Sequence, residues 1–198
     1  MTKNTEAGFI TFREPPSKRI KHAEGGVEHV FSEGAVQLAF AFYLLQRFPE
    51  LSGLEIHPDG EHGKRFDIRA FLERRGFELV QSEGSTNYGG TYSDGDQSIR
   101  VSPTPGTGDV VAKLTDRTII AECKGGVINS THAGQKSRLR SGLHEVIGQL
   151  MARPVDGELH FAVTPHTAET AKVAGKLRPR CSKAGIEIVL LDRNGEPF

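Results

Sequence analysis

Gly108-Asp109-Val110-Val111-Ala112-Lys113-Leu114-Thr115-Asp116-Arg117-Thr118-Ile119-Ile120-Ala121-Glu122-Cys123-Lys124-Gly125-Gly126 is the stretch on which the fold turns. Two β-branched runs, Asp109 to Leu114 and Thr118 to Lys124, flank a short polar connection, the pattern of a hairpin whose turn lies at Thr115 to Thr118. In that register Leu114 faces Ile119, and counting outward sets Asp109 opposite Lys124. Opposed residues on antiparallel strands project to the same side of the sheet, and alternation puts Glu122 there as well, with Cys123 on the other face. Two carboxylates and an ammonium therefore gather at one corner of a sheet. Gly125 and Gly126 then free the backbone to turn away and leave that corner open.

Outward from the hairpin, other elements follow by period and punctuation. A long helix is expected from Val27 to Phe48, where apolar residues recur at helical spacing until Pro49. Leu51 to Gly63 reads as a loop, Arg65 to Arg75 as a second helix closed by Gly76, and Phe77 to Val80 as a short strand. Residues 83–96, rich in glycine and small polar side chains, read as a long binding or mobile loop that carries Tyr88 and Tyr92. Ser98 to Val101 is a further strand. Past the hairpin come a helix from Lys136 to Ala152, a strand Leu159 to Thr164, a helix Ala168 to Ala184 and a strand Ile186 to Leu191. Residues 1–26, with Pro15-Pro16, the basic run Lys18-Arg19-Ile20-Lys21 and Gly25-Gly26, read as a partly flexible arm before one domain spanning 27–198. The order αα-ββββ-αβαβ implies an α/β fold with a central mixed β-sheet flanked by helices.

Composition bounds the function classes. The chain has 198 residues, 36% hydrophobic and 25% charged, the profile of one ordinary globular domain. Its longest nearly apolar run, Ala35 to Leu45, is too short to span a bilayer, and the N-terminus lacks a secretory pattern, so a cytoplasmic location is expected. Cys123 and Cys181 form neither a disulfide framework nor a C-x-x-C pair. Net charge is zero, yet residues 113–183 hold 12 Lys/Arg against 6 Asp/Glu, as a surface facing an anionic ligand requires. Solvated helix faces would give the same count.

Burying two carboxylates and an ammonium together is costly unless they neutralise one another or hold a cation. Hard oxygens from Asp109 and Glu122 suit Mg²⁺ or Mn²⁺, and the chemistry that wants this trio is metal-dependent phosphodiester hydrolysis. There Lys124 orients the attacking water or neutralises developing charge. The plain alternative is a salt bridge at a strand end.

Asp109 followed by Glu122-Cys123-Lys124 resembles the signature of the PD-(D/E)XK nuclease superfamily, an acidic residue on one strand and (D/E)-x-K on the next. The resemblance implies a restriction-endonuclease-like α-β-β-β-α-β core and a Mg²⁺-dependent endonuclease, with Mn²⁺ able to substitute and DNA as substrate. It also implies a glutamate from the leading helix in the metal shell, for which Glu33 is the best match and Glu28 the second. Some branches add a glutamine on the helix after the lysine strand, and Gln149 fits, with Glu145 one turn earlier. Gly108 stands where the family pattern has proline. A homodimer follows from the same resemblance, because a double-strand cut needs two centres. Competing readings are a nuclease of RNA or branched junctions, and a non-catalytic nucleic-acid-binding or regulatory protein.

Lys136, Arg138 and Arg140 at the entrance of the later helix are candidates to grip phosphates, since basic side chains there oppose the helix dipole unless a ligand compensates. The basic residues from Lys172 to Lys183 read as a solvated helix face. His57, Asp59, Glu61 and His62 lie close in sequence but lack the paired spacing of a zinc site, and Cys123 reads as a small core side chain. Neither a Walker-type phosphate loop nor a Gly-x-Ser-x-Gly elbow occurs.

Overall fold

The computed structural model describes residues 8–58, 65–154 and 157–198. In chain order they form β1 (Ile10–Arg13), β2 (Glu28–Phe31), α1 (Glu33–Arg47), β3 (Gly53–Ile56), α2 (Ile68–Arg74), β4 (Glu78–Ser82), β5 (Gly90–Ser93), β6 (Ser98–Val101), β7 (Val110–Lys113), β8 (Thr118–Cys123), β9 (Gly126–Val127), α3 (Ala133–Met151), β10 (Leu159–Pro165), α4 (Ala168–Lys183) and β11 (Ile186–Leu191). Eight strands build one mixed sheet in the order β11-β10-β8-β7-β3-β6-β5-β4, while β1, β2 and β9 make a small antiparallel sheet. The fold is α/β, a mixed central sheet flanked by helices. Among the described residues no helix is long and apolar enough to cross a membrane.

β8 sits centrally, antiparallel to β7 and parallel to β10, and α3 and α4 carry the chain across to β10 and β11. Alternation along β8 divides its side chains between two cores. Ile119, Ala121 and Cys123 join Phe161, Val163 and the apolar face of α1. Ile120 turns the other way, against Leu143, Val146 and Ile147 of α3 and Ala174 of α4. Each large side chain buried this way contributes roughly 1.5–3 kcal/mol. Glu122 and Lys124 share the face of Ile120 and so look toward α3.

The hairpin closes over two residues, Thr115 and Asp116, with the Leu114 N–H donating to the Arg117 carbonyl at 2.9 Å. Lys113 then lies opposite Thr118 and Val110 opposite Ala121, so the expected register is off by two and Asp109 stands across from Glu122 instead of Lys124. A shift of two preserves the face of every side chain, and the grouping of Asp109, Glu122 and Lys124 on one side is unchanged.

Other expectations are corrected by local physics. The helix expected from Val27 starts at Glu33, because the Ser32 hydroxyl accepts from the Ala35 N–H and caps it. The residues before it pair as β2, where Val30 and Phe31 fit a strand as well as a helix. Part of the supposed arm, Ile10–Arg13, pairs with β2, and Phe9 is buried in the main core, so this segment is built into the fold. The loop expected from Leu51 contains β3, a central strand parallel to β6 and antiparallel to β7. The glycine-rich stretch contains β5, and both its tyrosines are buried, with the Tyr92 hydroxyl donating to the Tyr88 carbonyl at 2.9 Å. Gly90 permits this: a Cβ there would lie 2.3 Å from the Gln81 carbonyl oxygen of β4.

Candidate active site

Asp109 is clamped at the ends of three strands. Its N–H donates to the Ala121 carbonyl at 2.9 Å, its carbonyl accepts from the His57 N–H at 2.8 Å, and its Oδ2 accepts from the Cys123 N–H at 2.7 Å. The chain reaches this position by passing tight against β8. A Cβ on Gly108 would come within 2.7 Å of Ile120 Cγ2, which is a steric reason for glycine where the family pattern has proline. Glu122 stands beside it, only 7% exposed, and its Oε1 accepts from Nη2 of Arg153. Lys124 Nζ lies 3.2 Å from Glu33 Oε2 and 3.3 Å from Glu145 Oε1.

Two glycines make these approaches feasible. A Cβ on Gly125 would sit 2.3 Å from the Phe31 carbonyl oxygen and 2.5 Å from the Glu33 nitrogen, so only glycine lets the end of β8 lie against the start of α1. A Cβ on Gly142 would be 3.2 Å from Lys124 Cβ, which places α3 directly against the lysine stem. Glu33 thus reaches Lys124 from one side and Glu145 from the other.

The electrostatics are uneven. Burial pushes the Asp109 carboxyl up to about 7; the Cys123 N–H opposes the shift, and the nearby Glu122 and Glu33 charges add to it. Burial works against the Lys124 ammonium, but Glu33 and Glu145 outweigh it and hold its pKa above the ordinary 10.5. Full burial raises the Cys123 thiol well above its usual 9, so this side chain is an inert thiol, as its strand face implied. A cavity of about 300 Å³ opens over the corner, lined by Glu33, His57, Gly108, Asp109, Glu122 and Arg153 among others.

The donor set can be weighed for a divalent cation. Asp109 and Glu122 offer hard oxygens from neighbouring strand ends beside an open cavity, and the upward shift of Asp109, caused first by burial and then by the Glu122 and Glu33 charges, is one that a nearby cation would oppose. Two such carboxylates are the donor type that suits Mg²⁺ or Mn²⁺. The expected trio with Glu33 is not assembled: among the described residues no three His, Cys, Asp or Glu side chains group closely enough to hold a metal ion. Glu33 is engaged by Lys124 and Glu122 by Arg153.

Other candidates separate. Gln149 is exposed on α3 and its amide has no hydrogen-bond partner among the described residues. Glu28 is fully buried in β2, bonded by Arg13 and Arg19, and belongs to the small sheet. Lys136 and Arg140 both bind Glu169 at 3.3 and 3.0 Å and tie α3 to α4. Arg138 instead lines a cleft of about 210 Å³ with Arg13, Arg65 and the buried Gln135, next to Glu33. Asp59, Glu61 and His62 lie outside the described residues, but His57 lines the cavity, its Nδ1 2.9 Å from the Thr104 carbonyl oxygen.

Sequence reading missed Arg153 as a site residue and set His57 aside with the loop cluster around it. For Arg153 a weak signal existed: it follows Glu145 and Gln149 at four-residue intervals, two residues past the end of α3, whose Glu145 meets Lys124. His57 was set aside because β3, which ends just before it, went unread. No family model matches the chain, and comparison with curated proteins and with solved structures finds no match either.

Proposed function

We propose that the chain is a metal-dependent endonuclease that hydrolyses phosphodiester bonds, with DNA as its substrate. The observation that carries this reading is the convergence of Asp109, Glu122 and Lys124 at one sheet corner beside an open cavity. The order of α1, β3, β7, β8, α3 and β10 supports it, because helix, three strands, helix and strand is the core of the PD-(D/E)XK superfamily. Asp109 and Glu122 would hold Mg²⁺ or Mn²⁺, which supplies positive charge beside the phosphate and acidifies nearby water.

The protein's own groups have separable parts. The Cys123 N–H fixes the orientation of the Asp109 carboxylate. Lys124, kept protonated by Glu33 and Glu145, is a donor and cannot accept a proton at neutral pH, so it holds water or a phosphate oxygen and is not the general base. Glu33 positions Lys124. Arg13, Arg65 and Arg138 flank the adjoining cleft, a path for a polyanionic backbone. A homodimer belongs to the same proposal, as two centres cut two strands.

The test incubates the protein with supercoiled plasmid, linear duplex, a branched junction and single-stranded RNA, each in Mg²⁺, Mn²⁺ or EDTA. Metal-dependent cutting of the plasmid or duplex supports the proposal, and preference for the junction or RNA moves it to another substrate. A second reading, a non-catalytic nucleic-acid-binding protein, draws on the pairing of Glu122 with Arg153 and Glu33 with Lys124, which neutralises the corner without a metal. Binding without cutting, and no Mn²⁺ uptake, would favour it.

A further inference from the structure

Among the described residues that line the cavity, Arg153 is the one lysine or arginine, and the superfamily signature does not include it. It follows the last turn of α3, its N–H bonded to the Leu150 carbonyl at 3.1 Å, and its guanidinium reaches back to Glu122. Only one arm of the fork is used there. Its Nε is buried and has no hydrogen-bond partner among the described residues, a costly state for a donor. A guanidinium presents Nε and Nη2 as a parallel pair, the geometry that meets two oxygens of one phosphate. Glu122, in turn, is one of the two carboxylates suited to a divalent cation.

We propose that Arg153 has two alternative partners, occupying Glu122 when the site is empty and taking the scissile phosphate when Glu122 is released to a cation. The inference rests on the proposed metal site and adds a phosphate-binding residue to it. It has a consequence that a merely structural arginine lacks. Arg153 competes with the cation for Glu122 but cooperates with it for the phosphate, so its removal moves the two affinities in opposite directions.

Isothermal titration measures Mn²⁺ binding without nucleic acid for the parent, Arg153→Met, Arg153→Lys and Asp109→Asn. A phosphorothioate duplex in Ca²⁺ then reports phosphate binding without turnover. Arg153→Met should bind Mn²⁺ about tenfold more tightly than the parent and the duplex about tenfold more weakly. Arg153→Lys, which keeps the charge and loses the fork, should recover the parent's Mn²⁺ affinity but not its duplex affinity, and it serves as the folded comparison if the Met variant does not fold. Unchanged or weaker Mn²⁺ binding in Arg153→Met, or duplex affinity restored by Lys, overturns the role of Arg153 and leaves the metal site standing. No Mn²⁺ binding by the parent, or parent-like binding by Asp109→Asn, overturns the metal site itself and this inference with it.

Discussion

Replacing Asp109 by Asn probes the charge imbalance at the corner through stability, without any assay of activity. In the fold the carboxyl is pushed up to about 7, against an ordinary value of 3.8 that the unfolded chain should show. The folded state therefore holds this proton more tightly. Between the two values it binds more protons than the unfolded state, so stability falls as pH rises through that window and stays low above it. At about 1.4 kcal/mol per tenfold change, the full penalty above pH 7 is at most about 4 kcal/mol. Asn mimics the protonated acid and can still accept from the Cys123 N–H, so it removes the penalty and keeps the hydrogen bond. Urea unfolding in EDTA should find Asp109→Asn more stable than the parent at pH 8, with a difference about 3 kcal/mol larger than at pH 5. Adding Mn²⁺ at pH 8 should stabilise the parent and not the variant. A difference that does not change between pH 5 and pH 8 would refute the reasoning that burial and neighbouring carboxylates strain this group.

Further outcomes follow from other contacts. Gly125→Ala forces a Cβ onto the Phe31 carbonyl and the first residue of α1, and should destabilise the fold by about 1–3 kcal/mol in chemical denaturation. Glu28→Gln removes the buried charge that Arg13 and Arg19 share and should lower stability in chemical denaturation, while Mn²⁺ affinity by calorimetry stays unchanged because Glu28 lies in the small sheet. Arg138→Ala should weaken duplex binding and reduce the slope of log affinity against log salt by about one. Lys136→Ala and Arg140→Ala should have smaller effects on that slope, since Glu169 already engages both.

What could be read from the sequence was set by how local the signal is. The β7–β8 hairpin, α3, β10, α4 and β11 carry strong β-branched runs or helical periodicity bounded by polar turns, and each lies within a few residues of its expected place. The start of α1 was placed too early because Val27, Val30 and Phe31 fall at helical spacing although they are good strand formers, and the Ser32 cap sets it at Glu33. Short strands with glycine, β3 and β5, carry too few residues for a pattern to stand out, and sheet neighbours hold them in place. The hairpin register slipped by two because Thr115-Asp116 is not a strong two-residue turn signal such as Asn-Gly. Candidate site residues on one hairpin were legible for the same reason: parity survives a slip of two. Contacts that join distant segments, such as Glu169 to Lys136 and Arg140, are decided by how α3 packs and left no mark in local spacing.

Whether Asp109, Glu122 and Lys124 form a hydrolytic centre is decided by plasmid cleavage in Mg²⁺ with a matched set of variants. Asp109→Asn, Glu122→Gln and Lys124→Met are compared with the parent and with Lys113→Met, the same chemical change at an exposed position on β7. Each of the three should lower the cleavage rate by about a hundredfold or more, while Lys113→Met cuts at the parental rate and EDTA abolishes all cutting. Cleavage that persists in folded Asp109→Asn and Lys124→Met, or that continues in EDTA, would contradict it.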